Sequence, residues 1–203
     1  VPTLGGDRTD GATAVAEHHG FGTVTMIHFD AHADTANILE GNLASHGTPM
    51  RRLIESGAIP GDRFIQVGLR GYWPGEEDQK WMRDNGLRHF MMQEFWERGI
   101  PAVLEDLVLA AKERGDKTYI SIDIDVLDPG FAPATGTPEP GGFAPIDLLR
   151  IIRRLVLETD VVAFDVMEVA PAYDHADLTV NVAHRLIWEA FAALAVKKRA
   201  AAT

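Results

Sequence analysis

The stretch MIHFDAHADT, Met26 to Thr35, decides how the chain is read. Its first half is apolar, and the run at 22–29 (GTVTMIHF) has the length and β-branched content of a buried strand. Its second half places Asp30, His32 and Asp34 at every second position. Alternate residues of an extended segment share one face, so two carboxylates and an imidazole lie side by side where the strand ends. Crowding like charges while stripping their water is unfavourable unless something positive offsets it.

Working outward, short apolar runs alternate with amphipathic stretches. Strands are expected at 63–69, 87–92, 117–126 and 161–169. Helices are expected at 48–57, 74–86, 101–115, 145–158 and 177–199, several marked by an early Pro or a terminal Gly, with Asp177 as the N-cap of the last. This alternation predicts an α/β three-layer sandwich, a mainly parallel twisted sheet covered by helices on both faces. Ligands of such sheets bind beyond the carboxyl ends of the strands. Two more strands end in acids: YISIDIDVLDP delivers Asp123 and Asp125, and VVAFDVMEVAP delivers Asp165 and Glu168. Asp165 lies inside its apolar run and reads as a buried hydrogen-bonding group. The other acids call for divalent cations, and a carboxylate can bridge two of them. Oxygen-rich ligation with an imidazole suits Mn²⁺.

At 203 residues the chain suits one domain, 1–203, and shows no repeat or linker. A formal net charge of −11 argues against a nucleic-acid partner; it suits a cationic substrate, or serves solubility alone. No apolar run approaches a membrane span, so no membrane partner is expected. No signal peptide is visible and there is no cysteine, which favours a cytoplasmic setting.

HFDAHADT, SIDIDVLDPGFAPATGTPEPGG and DVMEVAP resemble, in order, the three signature segments of the ureohydrolase (arginase/agmatinase) family. SHGTPMRRLIESG and QVGLRG are similar to its agmatinase-like branch. The resemblance spans the chain. It implies a single arginase-like domain with an eight-stranded parallel sheet, a two-Mn²⁺ centre and a trimer or hexamer. The implied activity is hydrolysis of a small cationic guanidino compound, agmatine or a guanidino acid, to urea and an amine by a metal-bridging hydroxide. What the family carries before GGD, including its first strand and part of the substrate pocket, is expected to be missing.

Residue by residue, the resemblance implies that Asp30 and Asp123 bridge the metals. Asp34 would complete one metal, and His32 with Asp125 the other. Asp34 would also orient the nucleophile, His46 would shuttle protons to the leaving amine, and Glu168 would pair with the guanidinium. One position departs from the pattern. The chain reads GGDRT, with Arg8 where the family has a metal-binding His. Arginine stays protonated and offers no acceptor, so it cannot ligate a cation. Three readings follow: a weakened first site that still fills; a single-metal or silent protein acting as an oligomer or binding subunit; or substitution by another group, with His18 and His19 the nearby candidates. A related one-Zn²⁺ deacetylase-like hydrolase fits less well, because one ion does not need all these carboxylates. Trp73 and Trp96 could line the pocket, but buried packing is the expected use of each. The 134–142 loop (ATGTPEPGG) reads as a rigid turn with no chemistry of its own.

Overall fold

Every residue of the strand Thr25–Phe29 is buried, and so is every residue of Phe64–Leu69 and Thr118–Asp123. Strands without a wet face require cover on both sides of their sheet. The computed structural model describes residues 2–4 (backbone only), 20–115 and 117–202. They form six strands: β1 (Pro2–Leu4), β2 (Thr25–Phe29), β3 (Phe64–Leu69), β4 (Arg88–Met91), β5 (Thr118–Asp123) and β6 (Val161–Met167). The sheet is wholly parallel, in the order β1-β6-β5-β2-β3-β4. The helices are α1 (Pro49–Glu55), α2 (Glu76–Asp84), α3 (Met92–Arg98), α4 (Ile100–Arg114), α5 (Pro145–Glu158) and α6 (Leu178–Ala200).

Side-chain alternation splits the core in two. Ile27, Phe29, Ile65, Ile120, Ile122 and Phe164 pack under α3, α4, α5 and α6. Met26, Phe64, Tyr119 and Ala163 pack under α1 and α2. The helix α5 shows why it forms: Pro145 pre-sets its first turn, and Leu148, Ile151, Ile152, Leu155 and Val156 make one buried stripe. Burying five such side chains contributes on the order of 10 kcal/mol before entropy is counted.

From β2 the chain builds outward to β3 and β4, then returns to β5 and β6 on the other side of β2. The reversal lies between β2 and β5, where an open α/β sheet leaves a crevice at its strand tips. Asp30 and Glu168 follow the tips of β2 and β6 and Asp123 ends β5, three adjacent strands.

The structure corrects several expectations. Pro2–Leu4, just ahead of GGD, was not expected as a strand and pairs in parallel with β6, which makes six strands among the described residues. The helix α3 was not expected; it starts directly after β4, where the Glu94 carboxylate accepts from Met91 N at 3.3 Å. Gly99, at φ 78°, separates α3 from α4. Asp177 does not cap α6: it sits at φ 56° and makes no side-chain cap bond. Asp174 does that work, accepting from Thr179 N at 3.1 Å and Val180 N at 2.9 Å. Neither tryptophan is buried, Trp73 being 68% and Trp96 60% exposed. Arg8, His18 and His19 lie outside the described residues.

Candidate metal centre

Just beyond the tip of β2, Asp30 is 1% exposed, and the chain then bends at Ala31 and His32. Its Oδ1 accepts the His32 backbone N–H at 2.5 Å, and its Oδ2 lies 3.1 Å from His28 Nε2. His32 Nδ1 is 3.4 Å from Asp30 and 3.0 Å from Asp125 Oδ2. Asp125 reaches this point because β5 ends in a tight 3₁₀ turn, Ile124–Val126. Asp123 Oδ1 accepts from Asp125 N at 3.0 Å and closes that turn. The other oxygen of Asp125 accepts from Ala31 N at 3.1 Å, locking the tip of β5 to that of β2.

Asp34 and Glu168 share a backbone feature. Each is a non-glycine residue in the left-handed region, at φ 54° and 60°. Such conformations carry strain of order 1 kcal/mol or more and persist only where the surroundings enforce them, often at functional sites. Asp34 is held by its carbonyl, which accepts from Met50 N at 3.1 Å in the first turn of α1. At Glu168 the turn ends β6.

Asp30, His32, Asp34, His46, Asp123, Asp125 and Glu168 all line one cavity of about 620 Å³. Within it, one group of ligand-type atoms joins Asp30, His32 and Asp125, all within 4.8 Å of one another. A second, equally close group joins His28, Asp30 and Asp34. Asp30 belongs to both, while Asp123 lines the same cavity but belongs to neither at that spacing. Sequence reading missed His28. Its signal was one more step of the same alternation, since positions 28, 30, 32 and 34 all carry ligand-type side chains.

Charge in the cavity is far from its resting values. Burial pushes Asp34 and Asp123 well above the usual carboxylate range, and neighbouring acids push them further. Asp125 moves up for the same reasons. Burial would also raise Asp30, but the imidazoles of His28 and His32 outweigh it and hold Asp30 below its ordinary value. His32 is pushed up to about 10: burial pulls it down, and the hydrogen bonds and charges of Asp125 and Asp30 more than reverse that. A pocket that traps protons this strongly is short of positive charge. Its donor set, several carboxylates with imidazoles and no thiolate, suits a hard or borderline divalent cation.

Two more residues shape the centre. Thr137 Oγ1 donates to Asp125 Oδ2 at 3.2 Å, so the 134–142 loop, read as a plain turn, touches the acid cluster. A Cβ on Gly136 would stand 3.5 Å from Glu168 Oε2, which brings that loop against the far wall. Arg70, at the end of β3 and 5% exposed, spends its guanidinium on backbone carbonyls. It donates to Asp125 and Glu139 at 2.6 Å each, to Pro140 at 3.0 Å and to Leu127 at 3.2 Å. Deeper in the sheet, Asp165 accepts from Tyr119 Oη at 2.7 Å and Ser121 Oγ at 2.8 Å, the buried role read from its sequence position.

Comparison with known proteins points the same way. Proclavaminate amidinohydrolase of Streptomyces clavuligerus is 38% identical over 179 residues, covering 87% of this chain and 56% of that protein. Guanidinopropionase of Pseudomonas aeruginosa is 41% identical over 173 residues, 84% of this chain and 53% of that one. The crystal structure of formimidoylglutamase from Bacillus subtilis superposes with a TM-score of 0.87 at 28% identity, covering 94% of this chain and 60% of that one. The chain thus spans little more than half the length of these relatives. The arginase family model matches residues 1–193, and the chain is a member of the arginase family.

Proposed function

We propose that the chain hydrolyses a linear guanidino compound, agmatine or a guanidino acid, to urea and an amine with the help of two Mn²⁺ ions. The observation that carries this reading is the Asp30 carboxylate, shared by two ligand groups in a cavity that also holds Glu168 and His46. Asp30 and Asp123 would bridge the ions, His32 and Asp125 would complete one position, and Asp34 would serve the other. When bound, the ions would lower the pKa of water and balance the carboxylate charge.

The remaining steps belong to the side chains. Glu168, poised by its left-handed turn, holds the guanidinium by charge and hydrogen bonds and presents its carbon to the acid cluster. Asp34 orients the attacking water and takes up its proton. His46, on the exposed rim of the cavity, passes a proton to the leaving amine nitrogen so that the C–N bond can break. A trimer or hexamer and a cytoplasmic setting belong to the same reading.

The test is urea release from agmatine, 4-guanidinobutyrate and arginine with saturating Mn²⁺. Turnover of at least one supports the proposal, and no urea from any of them removes it. A second reading is favoured by Arg8: a silent or single-metal member of the family that serves as an oligomer or binding subunit. Metal analysis separates the two, since a silent chain would bind one ion or none.

A further inference from the structure

We propose that His28 is a metal ligand: its Nε2, with the carboxylates of Asp30 and Asp34, forms one of the two cation positions. This rests on the metal-dependent reading above and goes beyond it. The family resemblance provides an imidazole for that position from the place where this chain carries Arg8, a side chain with no lone pair to offer. A position served by Asp30 and Asp34 alone would be all oxygen. His28 supplies the nitrogen from inside the sheet.

Several observations converge on it. Alternation at the end of β2 puts His28 and Asp30 on one face, and the bend that follows brings Asp34 back to the same place. Its ring is 1% exposed, yet it lines the cavity. Its Nε2 faces Asp30 Oδ2 at 3.1 Å, close to the spacing of neighbouring ligand atoms around one ion. The left-handed turn at Asp34 returns that carboxylate to within 4.8 Å of both. His28 Nδ1 is buried without a hydrogen-bond partner among the described residues, so the ring's polar contact is that of Nε2 with Asp30. The competing use is packing, since the ring stands edge-on to Phe64 with centroids 6.0 Å apart. Packing alone does not explain an imidazole nitrogen aimed at a carboxylate that a second ligand group shares.

The experiment measures metal binding rather than turnover. The chain is stripped by chelation and titrated with Mn²⁺, and bound metal is counted. Pulsed EPR on protein carrying ¹⁵N-histidine then reads how many ions couple to an imidazole. The unaltered chain should bind two Mn²⁺, each coupled to an imidazole nitrogen. His28→Phe should bind one, and affinity at the lost position should fall by more than the ~10–100-fold typical of an outer-shell partner. His28→Gln, which keeps an N–H donor toward Asp30, should fail to restore the imidazole coupling or the affinity. Two ions retained in His28→Phe, or full rescue by Gln, would leave His28 as a packing or hydrogen-bonding residue and overturn the assignment. If His28→Phe does not fold, the Gln variant and the EPR of the unaltered chain decide; a single imidazole-coupled ion in the latter overturns it. No Mn²⁺ bound by the unaltered chain would sink the metal-dependent reading itself, a different result from two ions indifferent to His28.

Discussion

Replacing Asp165 by asparagine isolates the energetics of one buried acid beneath the candidate metal centre. Asp165 is 1% exposed, and burial pushes its carboxyl from 3.8 up to about 6, against the pull of Tyr119, Ser121 and the nearby His28. The folded chain therefore holds this proton more tightly than the unfolded chain does. Between about pH 4 and pH 6 the native state binds more protons at this position, so its contribution to stability falls as pH rises. A shift of about two units corresponds to about 3 kcal/mol, fully present below the lower value and lost once pH passes the upper one. Asparagine does not titrate, and its single carbonyl oxygen replaces the two oxygens that serve Tyr119 and Ser121. The variant should carry a roughly constant penalty of about 1–3 kcal/mol from that loss. The assay is urea unfolding of both proteins, metal-free, followed by far-UV circular dichroism at steps between about pH 4 and pH 7.5. Stability of the unaltered chain minus that of Asp165→Asn cancels the other titrating groups. That difference should decline by about 3 kcal/mol across the range. A flat difference, or one that climbs with pH, would refute the claim that burial outweighs the two hydroxyl donors.

Asp34→Gly should stabilise the metal-free protein by about 1 kcal/mol, because glycine adopts the left-handed turn freely. Unfolding free energy reads this directly, and a destabilised variant would show that the turn is not strained. Leu155→Ala should lose about 2–5 kcal/mol from the centre of the α5 stripe, with Tm as the readout; a loss within error would mean the stripe repacks easily. Glu168→Gln should cut kcat/KM for the guanidino substrate by about 100-fold or more while Mn²⁺ stoichiometry stays unchanged. A drop in bound metal instead would make Glu168 a ligand, not a substrate contact.

The strands were legible because their cover is two-sided. A strand buried on both faces is a continuous apolar run, and GTVTMIHF or YISID needs no tertiary information to be recognised. The acid clusters were legible for a related reason: two-residue alternation is visible in the chain itself. What escaped depended on distant partners. The helix α3 begins without a loop after β4, so the pattern carried no start signal there. The N-terminus of α6 offered two aspartates three residues apart. The left-handed residues Ala176 and Asp177 turn the chain so that Asp174 reaches the helix amides, and composition does not announce such a turn. Thr137 and Arg70 act on Asp125 from 12 and 55 positions away. His28 was concealed by its own surroundings, since it was counted as part of an apolar run.

The carbonyl bonds of Arg70 carry a practical lesson. The curve of the polypeptide from Asp125 to Pro140 is held from outside, by a single arm reaching over from the neighbouring β3. Anyone grafting that segment onto another scaffold would transplant its letters but not its shape. The arginine would have to travel with it, as a mould travels with a casting.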